Sequence, residues 1–204
     1  MKKWLTIVLF LCSIGSYGQQ LNLQIKPYLG LHTGVFNEKG DSLIRDNIFG
    51  YQGGFSFRVS KGKAFLEPGF VFLRSYFEIP DTVAAVFNEL GIEDPRVKYN
   101  SFEFPVVMGY KFIETPLFKW YVAGGFAMNV SIKSSILDGK EEVIRLKAKE
   151  YGFANPRFSM RLGSGVDIAF FTIDVYYSLG LNSATTSIAR TQSHQFELNF
   201  GVLF

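Results

Sequence analysis

The chain has 204 residues, with 21 lysines and arginines against 18 aspartates and glutamates, and a single cysteine. That length is enough for one domain, and so balanced a charge excludes the basic field that gathers nucleic acid. Phenylalanine is the outlier, at 22 copies beside 4 methionines and 2 tryptophans, an excess that suits a wide apolar surface better than a small packed core.

Taken in chain order, residues 1–18 read as a cleaved signal peptide. Lys2 and Lys3 form a positive n-region, and Trp4 to Ile14 is an apolar run of h-region length, too short to span a bilayer as a helix. Ser16 and Gly18 are small residues spaced for a cleavage site, so the cut is expected before Gln19. A lipoprotein signal on Cys12 is the rival reading; it needs a small residue just before the cysteine, and Leu11 is not small. Cleavage leaves residues 19–204 as one domain, 204 − 18 = 186 residues, with 21 − 2 = 19 bases to 18 acids. It also removes the one cysteine, which excludes a disulfide from the mature chain.

Eight stretches then alternate between bulky apolar and small or polar residues, the period of a strand with two unlike faces. In the first, Leu21 to Gly34, Leu23, Ile25, Leu29 and Leu31 oppose Gln24, Lys26, Tyr28 and His32. The second sets Phe49, Tyr51, Phe55 and Phe57 against Gly50, Gln52, Gly54, Ser56 and Arg58. The third, Ala64 to Phe77, is less regular, with Leu66, Phe70, Phe72 and Tyr76 against Glu67, Gly69 and Ser75. The fourth pairs Phe102, Phe104, Val106, Met108 and Tyr110 against Ser101, Glu103, Gly109 and Lys111. The fifth sets Trp120, Val122, Phe126, Met128 and Val130 against Tyr121, Ala123, Gly125, Ala127 and Asn129. The sixth sets Phe158, Met160, Leu162, Val166 and Ile168 against Arg157, Ser159, Arg161, Gly163 and Asp167. In the seventh, Phe171, Ile173, Val175, Tyr177 and Leu179 oppose Thr172, Asp174, Tyr176 and Ser178. The last, His194 to Phe204, alternates without a slip and ends on an aromatic residue.

The connections carry a second signal. Those after the second, fourth and sixth stretches are short: Lys61-Gly62-Lys63, roughly Glu114 to Lys119, and a tight bend at Ala169-Phe170. Those after the first, third and seventh are longer and polar, and Asp138-Gly139 is a type I′ hairpin signal between the fifth and sixth. Around that hairpin, Ser131 to Leu137 and Glu141 to Tyr151 are expected to extend both strands beyond the bilayer.

A soluble lipocalin-type barrel also alternates, with its apolar residues inward. Volume separates the two arrangements. The bore of an eight-stranded barrel admits only modest side chains, so the Phe-, Leu- and Trp-rich face belongs outside, against lipid. The fold expected is therefore all-β: an eight-stranded antiparallel up-and-down transmembrane β-barrel behind a cleaved N-terminal signal peptide. It is expected in the cell outer membrane, with both termini periplasmic.

The inward face carries five bases, Lys26, Arg58, Lys111, Arg157 and Arg161, and five acids, Glu67, Glu103, Asp167, Asp174 and Glu197. In a narrow bore these should form pairs, because an unpaired buried charge costs several kcal/mol (roughly 3–5). A structural polar plug is the plain reading of such a set, and a proton or ion path is the sharper one. Arg74 breaks parity, since it shares a face with Phe70, Phe72 and Tyr76; it either snorkels to the head groups or binds lipid phosphate.

No catalytic, cofactor or metal constellation stands out. His32 and His194 are the two histidines, and they face opposite sides of the wall. Gly163-Ser164-Gly165 mimics part of a nucleophile elbow but lies mid-strand, with Ser164 toward lipid. The loop from Glu78 to Lys98 is expected to hold a short amphipathic helix, with Asp81 as N-cap, Gly91 at C′ and Val83, Val86, Phe87 and Leu90 as its apolar stripe. That stripe either packs onto the barrel rim or docks a partner protein.

Phe102-Glu103-Phe104-Pro105-Val106-Val107, Tyr110-Lys111-Phe112, Ala123-Gly124-Gly125-Phe126, Gly163 to Asp167, Asp174 to Asn182 and the terminal Gly201-Val202-Leu203-Phe204 follow in an order that resembles the PorT-like outer-membrane β-barrel family. This family comprises small outer membrane beta-barrel or porin family proteins of the Gram-negative envelope. The resemblance spans the whole mature chain. It implies an outer-membrane address, with a named relative needed by a protease-exporting secretion system, and implies no reaction.

The leading functional reading is a non-enzymatic, closed barrel whose outer loops bind or organise partners or which supports the envelope. Its partners would be outer-membrane lipid and an envelope or secreted protein, with no nucleic acid and no cofactor. A barrel enzyme acting on lipid or peptide, and a narrow small-molecule channel, are the alternatives.

Overall fold

The computed structural model describes residues 21–38, 47–78, 95–138, 141–146, 155–182 and 191–204. Nine strands occur among them: β1 (Asn22–Glu38), β2 (Asn47–Lys61), β3 (Ala64–Glu78), β4 (Pro95–Glu114), β5 (Phe118–Asp138), β6 (Glu141–Leu146), β7 (Arg157–Ile168), β8 (Phe171–Gly180) and β9 (Thr191–Val202). All pairings are antiparallel. Neighbours in the chain pair in turn except β6 and β7, β5 pairs with β7, and β1 pairs with β9, which closes the sheet into a ring of eight. The ninth strand, β6, pairs with the end of β5 at Ser134 to Asp138, beyond the stretch from Phe118 to Asn129 that β7 covers. It is the hairpin extension expected from the sequence.

The C-terminus completes the seam. Phe204 exchanges two backbone hydrogen bonds of 3.0 Å each with Ile25, so the last residue is tied to the first strand and its ring stands outward. Gly62-Lys63, residues 115–117 and Ala169-Phe170 form the three tight turns, all on one rim. Gly62 has φ of 59° and Ala169 of 55°, the left-handed conformation that two-residue hairpin turns of the favoured types require. The residues expected as signal peptide, the loop-helix residues Val83, Val86, Phe87 and Leu90, and the hairpin residue Gly139 lie outside the described residues.

The loop expected from Glu78 to Lys98 is shorter than that. Glu78 closes β3 opposite Arg96, and Pro95 to Lys98 pair with Ser135 to Asp138 of β5. β3, β4 and β5 continue as paired strands past the bilayer, because a three-stranded ribbon with its hydrogen bonds made needs no lipid to stand in water.

Two bulges adjust the wall. Asn100 faces Lys133 while Ser101 faces Ser131, leaving Ile132 without a partner. Lys111 faces Tyr121 while Ile113 faces Trp120, leaving Phe112 over. The extra residue breaks the two-residue period, so Tyr110, Phe112 and Ile113 all stand outward. Tyr110 meets Phe112 edge to face and Phe112 meets Trp120 at a tilt, each at 5.4 Å between ring centres, an aromatic girdle at the short-turn rim.

Orientation is as the volume argument expects on the outside: Leu29, Met108, Phe126 and Leu162 are all exposed on the outer wall. Inside, it needs correction. The bore holds Phe65, Val71, Leu73 and Val107 besides Tyr28, Tyr99, Tyr121 and Tyr176, all buried. Room is made by glycine. Tyr28 faces Gly54 across the strands, Phe65 faces Gly109, Tyr121 faces Gly165, Tyr176 faces Gly163 and His32 faces Gly50. A Cβ at Gly109 would lie 2.1 Å from Phe65 Cζ, and one at Gly163 2.4 Å from Tyr176 Cδ1. The rings of His32, Phe65, Tyr121 and Tyr176 cover the bare backbone opposite, a cross-strand pairing that seats a large side chain within a narrow cylinder.

Candidate functional site in the barrel bore

The inward positions of seven strands converge on two buried clusters of charge. Arg58, from β2, is 0% exposed and anchors the one nearer the tight turns. Its Nε donates to Glu67 Oε2 at 2.6 Å, Nη1 to Asp167 Oδ2 at 2.7 Å and Nη2 to Tyr121 OH at 2.8 Å. The guanidinium lies 4.7 Å from the ring centre of Phe65 and 4.5 Å from that of Tyr121. A planar cation fits this slot, with its edges bonded and its faces on aromatic rings. Lys26 bridges Glu67 and Asp174, its Nζ 3.0 Å from Asp174 Oδ2. Ser56 donates to Glu67 Oε1 at 2.8 Å, and Tyr121 OH donates to Asp174.

Arg161, from β7, anchors the second cluster. Its Nη1 donates to Glu103 Oε1 at 2.6 Å and its Nη2 to Glu197 Oε2, with the cation 4.8 Å from the ring centre of Tyr176. Gln52 donates through Nε2 to Glu197 at 3.0 Å and Asn199 at 2.6 Å, and Ser178 donates to Glu197 Oε1 at 2.9 Å. Between the clusters lies a cavity of about 20 Å³, bounded by Lys26, Tyr28, Glu67, Arg161, Asp174 and Tyr176, room for about one water molecule.

The structure thus brings together eight of the ten expected interior charges. Lys111 and Arg157 stand toward the two ends of the bore without an ion pair to the two clusters, Arg157 sharing a small cavity with Glu103. Lys111 pairs with Glu114 at 2.8 Å on the tight-turn rim. Arg157 donates to Asn129 Oδ1 at 3.2 Å, with its cation 5.1 Å from the ring centre of Tyr99. The middle of the bore therefore has three bases, Lys26, Arg58 and Arg161, against five acids. Balance is reached only along the full length of the cylinder.

Sequence reasoning placed Tyr121 and Tyr176 on the inner face without giving them a role. Tyr121 links Arg58 to Asp174, and its hydroxyl also lies 3.2 Å from Thr172 Oγ1. The available signal was a tyrosine on a face otherwise made of small residues. Gln52 and Asn199 were missed as partners, since neither carries charge.

His32 and His194 occupy opposite sides of the wall. His32 Nε2 shares a 2.9 Å hydrogen bond with Ser75 inside, and His194 Nδ1 one of 2.5 Å with Tyr177 OH outside. Ser164 is held on the outer wall by Trp120 Nε1 at 3.0 Å and donates to the Tyr121 carbonyl at 2.9 Å.

A closed ring of eight antiparallel strands, apolar outside and ion-paired inside, defines a transmembrane β-barrel. The chain belongs to the outer membrane protein beta-barrel domain family, whose profile matches residues 17–186. Among solved structures it is similar to Neisserial surface protein A, at TM-score 0.52 and 12% identity over 91% of this chain and 99% of that one. It is also similar to the outer membrane protein OprG from Pseudomonas aeruginosa, at TM-score 0.53 and 12% identity over 92% and 98%. No curated protein sequence matches the chain. The protein is an outer-membrane β-barrel, located in the cell outer membrane.

Proposed function

We propose that this protein is a closed, non-catalytic barrel that works through its outer surface rather than its bore. The filled interior carries the reading: Arg58 crosses the lumen with both faces and its edges occupied, Arg161 joins Glu103 to Glu197 with Tyr176 against one face, and the gap between their clusters has room for about one water molecule. A channel needs a continuous aqueous path, which porins obtain from 16 or more strands (roughly double the count here). Purified barrel in planar bilayers is expected to show no sustained conductance of porin size, while migrating differently on gels before and after boiling. Steady single-channel current from heat-modifiable protein would overturn the closed-bore reading.

The PorT-like pattern supports a finer assignment to the secretion-associated members of the family, with a partner protein docking on the outer loops. The segment proposed to dock it carries Val83, Val86, Phe87 and Leu90. Changing Val86 and Phe87 to serine should abolish co-purification of a crosslinked envelope or secreted protein. Unchanged co-purification would remove that segment from the account.

A further inference from the structure

Arg74 stands on the lipid side of β3, in line with Leu66, Phe70, Phe72 and Tyr76. It lies 74 − 64 = 10 residues from the start of the strand at the tight-turn rim. At ~3.3 Å per residue and a tilt of ~40° that is about 25 Å, the height of the apolar band. Arg74 is therefore level with the head groups of the outer leaflet.

Register gives it company. Arg74 faces Asn100 on β4, and Asn100 faces Lys133 on β5, so the three form one row across the wall. The bulge at Ile132 matters here, because the extra residue turns Lys133 outward, where its side chain is 40% exposed. Lys98 stands one step higher, and Glu142 sits between it and Lys133, 3.5 Å from the latter. Among the described residues, three bases against one acid leave this row and the step above it at 3 − 1 = +2.

The guanidinium of Arg74 is fixed in place. Nε donates to Asn100 Oδ1 at 2.9 Å and Nη1 to Tyr51 OH at 2.9 Å. Two of its five N–H donors are thereby committed, the Tyr76 hydroxyl is a further hydrogen-bond neighbour, and among the described residues no carboxylate pairs with it. A snorkelling arginine would need only water and would move freely. This one is held still with an open donor edge, the condition for forked recognition of phosphate. Directly below the row, Phe70, Phe72 and Phe102 form an aromatic floor, with ring centres 5.0 and 5.8 Å from Phe102.

We propose that Arg74, positioned by Asn100, and Lys133 hold a phosphate of an outer-leaflet glycolipid, with its acyl chains lying on the aromatic floor. The cation row explains a preference for phosphate, and the floor beneath it makes the ligand a lipid rather than a soluble anion.

Native mass spectrometry of the full barrel in detergent tests the assignment with three probes: bisphosphorylated lipid A, its dephosphorylated form, and phosphatidylglycerol. Lipid A should be retained, its dephosphorylated form should bind about tenfold more weakly because the charge-assisted bonds are lost, and phosphatidylglycerol should also bind more weakly because its single phosphodiester carries one charge and fewer free oxygens than a phosphate monoester. Arg74→Gln should weaken lipid A by about tenfold and Lys133→Gln by less, while Lys63→Gln at the opposite rim should change nothing. Equal retention of the dephosphorylated lipid overturns the proposal, because the floor alone would then be binding acyl chains. Equal retention of phosphatidylglycerol overturns it too, since any anionic head group would serve. So does a folded, heat-modifiable Arg74→Gln barrel that keeps wild-type binding. Should that variant not fold, the three-lipid comparison on the unaltered protein decides alone.

Discussion

Replacing Arg58 with alanine is expected to destabilise the barrel by about 3–5 kcal/mol, the cost of leaving buried charge without its partner. Glu67 and Asp167 would each lose a hydrogen bond shorter than 3 Å, and Tyr121 would lose the donor at its hydroxyl. Lys26 still touches Glu67, which softens the effect on that acid, whereas Asp167 has Arg58 as its one side-chain partner among the described residues and keeps one oxygen buried without a bond. Phe65 and Tyr121 would also face the space left between them. Urea unfolding in micelles, followed by gel migration of unboiled samples, measures the change. Arg58→Lys should fall between the wild type and Arg58→Ala, because an ammonium keeps the charge but cannot reach both acids with a planar fork. A loss below ~1 kcal/mol for Arg58→Ala, the range of an exposed ion pair, would show that the bore is wet and its charges solvated.

Phe126→Arg is expected to cost about 2–4 kcal/mol, the range for a basic residue at the midplane of a barrel's lipid face. Phe126 is 62% exposed and stands midway on β5, between Trp120 at the tight-turn girdle and Lys133 at the opposite head-group level. Tyr110→Arg, in the girdle itself, should cost only ~0–1 kcal/mol. Unfolding in liposomes compares the two. The depth dependence is the informative part, since an outer wall bathed in water would accept arginine equally well at both heights. Equal effects would reject the membrane orientation.

These expectations rest on unlike kinds of information. The eight strands were legible because side-chain alternation is a property of the local backbone, visible in any run such as His194 to Phe204 without knowing what lies beside it. Which face met lipid was legible from volume, as Phe102 to Tyr110 opposite Ser101 to Lys111 shows. The charged membership of the bore was legible too, residue by residue, whereas its apolar members Phe65, Val71, Leu73 and Val107 were not. Nor was its pairing. Arg58 reaches Asp167 from 109 positions away and Lys26 reaches Asp174 from 148. Equal numbers of bases and acids suggested five pairs, yet Lys111 and Arg157 stand at the ends and three bases share five acids in the middle.

The inner aromatic residues make the same point. Tyr28, Tyr121 and Tyr176 had the parity of the small face, where their bulk seemed misplaced. Only the register puts a glycine opposite each of them, and register across a closed sheet depends on the shear of the whole barrel. The row of Arg74, Asn100 and Lys133 likewise depends on one bulged residue, Ile132, that no period-two reading would mark.

From the amino-acid order alone come the strand count, the lipid-facing surface and the inward charges, since all three follow from a two-residue period and side-chain size. Closure of β1 on β9, the partners within the bore and the cationic row on the outer wall were decided only by tertiary structure. They depend on how far each strand is offset from its neighbour, and that offset accumulates around the ring until distant residues meet.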